Sequence, residues 1–369
     1  MCITRLFCVT HMVRGVKVAQ GSLEGISASQ GSSIALYVIG STMTSTIPNI
    51  SLAGSMSIAT LFTPALDVEY LYFGKPISVE AIPTTPTGIP TPAIITRTAL
   101  QLSQTPFMVV DAGSYIKPRI PLISLSSSCV GGRIDREDAL PRGTSRKIFG
   151  EATLIGRTIG SIANVVLIGE SIPGGTTTAL SILQGLGYNA YNIVSSSAKE
   201  NPLNIKKAVV EEALKRLGQS EDPFKVNDVV GDPVHITIAG LALGALRSRA
   251  TVILAGGTQM LATLALMKAI EPGFDEQRLV LATTKWIYSD KGAEMLKFIK
   301  MVAPNATFAY VELDFIDAPF SGLKAYEDGF VKEGVGAGGT SLLAILKGVG
   351  INELKHGVYR EYERIVRVG

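Results

Sequence analysis

From about residue 150 onward, short β-branched and apolar runs alternate with helix-length segments. That alternation predicts parallel strands joined by helices that cover both faces of one sheet. The expected strands are Val165 to Ile168, Ala190 to Val194, Thr251 to Leu254, Leu279 to Thr283 and Phe308 to Leu313. Each is largely apolar, as a strand buried on both faces should be. The expected helices are Thr177 to Leu186, Leu203 to Leu217, Pro233 to Arg247, Gln259 to Ala269, Asp290 to Met301 and Ser341 to Leu346. In the second of these, Ile205, Val209, Ala213 and Leu217 share one face. The first third offers strand candidates at Ile34 to Ile39, Val68 to Phe73 and Phe107 to Val110, and a Pro/Thr-rich loop from Ile82 to Pro92. A loop of that length is either functional or a plain surface excursion. Glu353 to Val368 reads as a charged amphipathic helix carrying Leu354, Val358, Tyr359, Tyr362 and Ile365.

With 369 residues, 46% hydrophobic and 18% charged, the chain has material for one large core and a smaller appended unit. The class is α/β: a Rossmann-like, mostly parallel sheet flanked by helices, with a small helical lobe from the chain ends. The expected division is an N-terminal arm over 1–30, an α/β nucleotide-binding domain over 31–335 and a C-terminal helical lobe over 336–369. Its 34 Lys and Arg against 31 Asp and Glu leave a net charge of +3, without a block of like charge that would mark a nucleic-acid surface. A small anionic ligand fits that balance. Mean hydropathy is +0.31. Even so, the longest apolar stretch, Ile34 to Leu61, is broken by Ser and Thr residues, Gly40, Pro48, Asn49 and Gly54, whereas a spanning helix needs about 20 largely apolar residues. Met1 to Val13 lacks a signal-peptide core, so the expected place is the cytoplasm. Cys2, Cys8 and Cys129 have no metal-type spacing, and His11, His235 and His356 lie far apart. Neither a disulfide framework nor a zinc site is expected.

Gly-Gly-Thr occurs three times, at Gly174-Gly175-Thr176, Gly256-Gly257-Thr258 and Gly338-Gly339-Thr340, each just before a helical pattern. Glycines let backbone amides approach an anion, and a threonine can cap a helix whose N-terminal dipole favours negative charge. One copy alone would be an ordinary strand-to-helix turn; three copies at the carboxyl edge of one sheet favour a phosphate site. The first lies in Gly169-Glu170-Ser171-Ile172-Pro173-Gly174-Gly175-Thr176-Thr177-Thr178, which matches neither a Walker loop nor a dinucleotide fingerprint. Glu170 at its mouth can bind a sugar hydroxyl or face solvent. Near the end, Val331-Lys332-Glu333-Gly334-Val335-Gly336-Ala337-Gly338-Gly339-Thr340 presents one carboxylate among glycines. Such a group is a general base if apolar surroundings raise its pKa, or a solvated loop residue if they do not.

These two segments resemble the paired glycine-rich signatures of the nicotinate-nucleotide:dimethylbenzimidazole phosphoribosyltransferase family, Gly-Glu-Met-Gly-Ile-Gly-Asn-Thr-Thr and Gly-Glu-Gly-Thr-Gly-Ala. They are most similar to a divergent prokaryotic branch, with Gly-Glu-Ser-x-Pro-Gly-Gly-Thr-Thr-Thr-Ala-Leu and Lys-Glu-Gly-Val-Gly-Ala-Gly-Gly. In weaker form the likeness takes in Pro90-Thr91-Pro92-Ala93, Asp111-Ala112-Gly113, Lys117-Pro118 and Leu254-Ala255-Gly256-Gly257-Thr258-Gln259. The resemblance implies transfer of the phosphoribosyl group of nicotinate mononucleotide to an aromatic base, with release of nicotinate, in making the lower ligand of cobamides. It implies Glu333 as base, and Glu170, Gly174, Gly175, Thr176, Gly256, Gly257 and Thr258 at the nucleotide. Gly334 and Gly336 would offer amides, and Lys206 would reach the phosphate. No cofactor or metal is implied, and a homodimer is. The family's base-binding glutamine, in Pro-Val-Thr-Ala-Gln, has no counterpart in Pro92-Ala93-Ile94-Ile95-Thr96-Arg97-Thr98, which leaves the acceptor open. A non-catalytic nucleotide-binding regulator and a transferase for another acceptor are the rival readings.

Overall fold

The computed structural model describes residues 13–27, 32–50, 57–79, 84 and 88–368. Eight strands form one sheet: β1 (Val16–Gln20), β2 (Ser33–Gly40), β3 (Phe107–Gly113), β4 (Ile123–Ser124), β5 (Val165–Ser171), β6 (Thr251–Ala255), β7 (Leu279–Thr284) and β8 (Thr307–Val311). Their order is β1-β8-β7-β6-β5-β2-β3-β4. All neighbours are parallel except β1, which runs antiparallel to β8. The helices are α1 (Glu24–Ser27), α2 (Thr63–Phe73), α3 (Ala93–Ser103), α4 (Thr144–Ile162), α5 (Gly175–Gly185), α6 (Leu203–Leu217) and α7 (Pro223–Val230). They continue with α8 (Pro233–Arg247), α9 (Met260–Ile270), α10 (Lys285–Val302), α11 (Ser321–Lys324), α12 (Ala337–Leu346) and α13 (Ile351–Val368). This is the expected α/β class.

Strand alternation divides the core in two. Leu36, Val38, Val166, Ile168, Val252, Leu254 and Leu281 face a layer that includes α4, α5, α8 and α9. Ala35, Tyr37, Ile39, Leu167, Ile253, Ala255 and Ala282 face α2, α3, α12 and α13. Successive side chains of a strand point to opposite faces, so apolar residues at every position require cover on both. The connections run from β2 outward to β3 and β4, then return to β5 on the other side of β2 and continue outward to β8. The carboxyl ends of β2 and β5 are therefore the point where strand order reverses, the usual ligand crevice of an open α/β sheet.

Several expectations are corrected. Val68 to Phe73 is not a strand but the second half of α2, whose first turn holds Pro64 and whose residues are mostly buried, Asp67 and Glu69 included; with polar and apolar positions buried alike, no amphipathic period betrays it. Ala190 to Val194 is not a strand either, because β5 already pairs with β2 and β6. Those residues form turns that carry Ser195 toward α6. Val16–Gln20, read as part of an arm, closes the sheet edge against β8. Beyond residue 335, α12 packs on β5, β6, β7 and β8 and against α3. Helices α1, α3, α4, α7 and α11 were not anticipated. Of the Ile82 to Pro92 loop, residues 82, 83 and 85–87 lie outside the described residues, as do Cys2, Cys8 and His11. No described helix is long and apolar enough to cross a membrane.

Candidate active site

The three Gly-Gly-Thr segments meet at the carboxyl edge of β5, β6 and β7, but not as three like turns. Gly174, with φ of 79°, precedes α5, and Gly256 and Gly257 follow β6 ahead of α9. The third pair lies inside the first turn of α12, where a Cβ on Gly338 would stand 2.1 Å from the carbonyl carbon of Thr283 and one on Gly339 2.3 Å from Ala255 Cβ. These two glycines let α12 approach β6 and β7 more closely than any side chain permits. None of the three threonines caps its helix; α5, α9 and α12 lack side-chain caps. Thr176 Oγ1 accepts from Lys206 Nζ at 3.0 Å, Thr258 Oγ1 accepts from Ser195 N at 2.9 Å, and Thr340 Oγ1 donates to the Gly336 carbonyl at 2.8 Å.

Glu333 sits in a loop held by unusual backbone. Val331, Lys332 and Val335 have φ of 62°, 59° and 51°, and Gly336 has 66°. Non-glycine residues in that region are strained by roughly 1 kcal/mol or more each and persist where the surroundings impose them. Here Val331 N donates to Ser197 O, and Thr284 Oγ1 donates to Lys332 O at 2.6 Å. Lys332 is buried, with Nζ 3.1 Å from Asp290 Oδ2 and donating to Ala198 O at 3.2 Å. The Glu333 carboxylate accepts from Gly334 N at 3.1 Å, Thr284 N at 3.1 Å and Gly338 N at 3.2 Å, the last an amide at the start of α12. These donors favour the ionised form, yet burial and the nearby Glu170 carboxylate outweigh them and push its pKa up to about 7. The residue as a whole is half-buried.

Glu170 closes the other wall. It is buried at the end of β5, accepts a short hydrogen bond from Gln259 Nε2, and its pKa is raised by burial. A Cβ on neighbouring Gly169 would lie 3.2 Å from Gly336 Cα, which places the Glu333 loop directly over β5. Pro92 stands 3.1 Å from where a Cβ on Gly334, the next residue after Glu333, would be. Asp67, missed by sequence reasoning, is buried near this corner. It accepts from Ser171 Oγ at 2.7 Å and from Thr91 Oγ1 at 2.8 Å, and burial lifts its pKa to about 6. Arg97 does not enter the site: Nε donates to Tyr70 O at 3.1 Å and Nη1 lies 3.5 Å from Glu361 of α13.

Lys206 is fully buried beside the start of α5, donating also to Ser195 O at 2.8 Å. Burial, and then the charge of Lys332, lower its pKa to about 7. Two buried lysines answered by Asp290 leave an excess of positive charge next to the α5 N-terminus, where an anion is favoured. The signals that sequence lacked are Lys332, Asp290, Thr283 and Thr284, which gain meaning only from their position around Glu333.

Bound phosphate would raise the pKa of Lys206 and protonate it, so affinity for a ribonucleotide monophosphate is expected to fall as pH rises above about 7. Lys206→Met should weaken that affinity by about 30-fold, corresponding to loss of one charge-assisted hydrogen bond of about 2 kcal/mol. Calorimetric titration of nicotinate mononucleotide at pH 6.5 and 8.5 checks both; equal affinity at the two pH values for the native chain contradicts the assignment of Lys206.

A phosphoribosyltransferase family model, DBI_PRT, matches residues 93–282, which is about half of the chain. A UPF0284 protein of Aeropyrum pernix is 44% identical over 346 residues, covering 93% of this chain and 95% of that protein. One of Archaeoglobus fulgidus is 41% identical over 352 residues, with 95% and 99% covered. Among solved structures, the nicotinate-nucleotide-dimethylbenzimidazole phosphoribosyltransferase of Thermus thermophilus superposes with a TM-score of 0.61 at 15% identity, over 94% of this chain and 89% of that one. At such identity the likeness shows the shared fold. With the family model and the relatives together, the chain belongs to the DBI_PRT phosphoribosyltransferase family and, with those archaeal relatives, to its UPF0284 branch.

Proposed function

We propose that this phosphoribosyltransferase takes its phosphoribosyl group from nicotinate mononucleotide and passes it to 5,6-dimethylbenzimidazole or a related aromatic base, releasing nicotinate. The observation that carries this reading is Glu333: a desolvated carboxylate, fixed by three backbone amides, that feels the Glu170 carboxylate and is followed in the chain by Gly334, which abuts Pro92. Nicotinate bonded through its ring nitrogen is a cationic leaving group that departs neutral and needs no acid. The anomeric carbon gains oxocarbenium character as that bond lengthens. The incoming azole nitrogen forms the new bond, and the azole N–H proton passes to Glu333. Lys206, the α5 N-terminus and Lys332 favour the phosphate end, while Glu170 suits ribose hydroxyls; holding both reactants in place supplies much of the rate. Incubation with nicotinate mononucleotide and a panel of bases, followed by assay of free nicotinate, tests the reading. Absence of nicotinate with every base overturns it.

The acceptor side favours breadth. Arg97 is committed to Tyr70 and Glu361, so the Ile94-Ile95-Thr96-Arg97-Thr98 stretch, now the body of α3, offers no long polar arm toward Pro92. Methyl groups in an apolar pocket change selectivity by about 1–3 kcal/mol. Benzimidazole and its methylated relatives are therefore expected to react within roughly 200-fold of one another. Competition among dimethylbenzimidazole, benzimidazole, adenine and a hydroxylated analogue measures this, and strict use of dimethylbenzimidazole contradicts it.

A further inference from the structure

Lys332, the residue before Glu333, stands where a lysine is disfavoured twice over. Its φ of 59° belongs to the left-handed region that a glycine enters without steric cost, and its ammonium is buried. The partners that answer these costs gather at residues 195–198, between α5 and α6. Val331 N donates to Ser197 O at 2.8 Å, and Lys332 Nζ donates to Ala198 O at 3.2 Å. The same Nζ lies 3.1 Å from Asp290 Oδ2 of α10, the oxygen that accepts from Ser195 Oγ at 2.6 Å. Residues 195–198 also reach the first two glycine turns. Ser195 N donates to Thr258 Oγ1 at 2.9 Å, and Ser195 O accepts from Lys206 Nζ at 2.8 Å. Lys206 donates in turn to Thr176 at 3.0 Å. A line of hydrogen bonds therefore runs from Thr176 through Lys206, Ser195 and Asp290 to Lys332, whose own carbonyl is held by Thr284 Oγ1.

We propose that Lys332 is a positioning residue: it fastens the Glu333 loop to residues 195–198 and so ties the place of the base to the filling of the phosphate end. The tie to phosphate rests on the function proposed above; the fastening does not. Removing one partner of a buried ion pair leaves the other charge uncompensated, so the pair resists any opening that would separate Lys332 from Asp290. The charges follow the same line as the hydrogen bonds. Lys206 and Lys332 repel each other across Asp290, and an anion beside Lys206 relieves that repulsion. The filled site then favours the arrangement that holds Glu333 in place, and by linkage that arrangement favours the filled site.

Amide hydrogen exchange of the full chain, read by NMR at Val331 and Gly334, tests the fastening without substrate or turnover. Lys332→Met keeps the bulk of the side chain and removes its charge. Exchange at both amides is expected to quicken about tenfold or more, while Val252, Ile253 and Leu254 of β6 keep their rates. Unchanged rates at Val331 and Gly334 overturn the proposal. An equal quickening in β6 also overturns it, because it marks a general loss of stability. Inorganic phosphate probes the tie to the phosphate end. Bound to the native chain, it should slow exchange at the same two amides, and in Lys332→Met that slowing should disappear. Phosphate that binds the native chain and leaves the two amides unaffected overturns the tie. Failure of the native chain to bind phosphate removes the reading of Lys206 given above, and with it the tie, whereas the exchange rates still decide the fastening. Should Lys332→Met not fold, Asp290→Asn removes the charge at the partner, whose side chain is 32% exposed, and carries the same expectations.

Discussion

Glu333→Gln is expected to keep the fold and nucleotide affinity while lowering nicotinate release by roughly a hundredfold or more, the scale of a general base. Glutamine retains an oxygen at the Oε1 position for the amides of Gly334 and Gly338 and gives up the bond from Thr284 N to Oε2. The bonds of Val331 N to Ser197 O and Thr284 Oγ1 to Lys332 O still hold the loop with its three left-handed non-glycine residues. What is lost is the capacity to accept a proton. The native enzyme carries the corresponding pH dependence. Glu333 must be ionised to act and its pKa is raised to about 7, so kcat/KM should fall as pH drops through that value. An unraised carboxylate would hold its rate down to about pH 4.5. Near-native turnover in the glutamine variant, measured by free nicotinate, removes Glu333 from the chemistry.

Gly338→Ala is expected to destabilise the chain by about 3 kcal/mol or more, the upper range for forcing a methyl into a packed interior. Helix propensity alone predicts the opposite sign, since alanine stabilises a helix interior by about 1 kcal/mol over glycine. The close approach decides. An added Cβ would stand 2.1 Å from the Thr283 carbonyl carbon and 2.4 Å from Thr284 N, both main-chain atoms of β7 that cannot swing aside. Moving α12 away would also withdraw the Gly338 amide from Glu333, so loss of turnover should accompany loss of stability. Gly150 of α4 is the control, for nothing lies within 4 Å of its added Cβ. Gly150→Ala should stabilise by about 0.5–1 kcal/mol. Urea midpoints of the two variants make the comparison, and equal effects would show that the contact between α12 and β7 is looser than described.

The helices found in sequence were those whose surroundings left a mark on composition. α6 has one buried face and one wet face, and its expected bounds Leu203 to Leu217 agree with the structure. α4 has the same kind of buried face, with Ile148, Ala152, Gly156 and Ile159 along it, but glycines stand among its contact positions. It presses on α8 so closely that a Cβ on Gly156 would lie 2.2 Å from the Leu241 carbonyl oxygen. The glycines required there look, along the chain, like helix breakers. α2 failed for another reason: its second half, Val68 to Phe73, holds Val and aromatic residues of strand type, and the charged Asp67 and Glu69 are buried with them.

The site divides in the same way. By itself the sequence determined the class of fold, through apolar strands alternating with helices, and it pointed to Glu170, Lys206 and Glu333 through local strings that survive without knowledge of the fold. Only the tertiary structure decided what those residues meet. It turned the third Gly-Gly-Thr from an expected anion turn into a helix–sheet contact, set Lys332 against Asp290 beside Lys206, and placed Gln259 on the Glu170 carboxylate. The physical reason is range. A turn or a helix face is fixed by neighbours a few residues away, whereas burial and the charges that set a pKa come from groups 50 or more positions distant, as Thr283 is from Glu333 and Gln259 from Glu170.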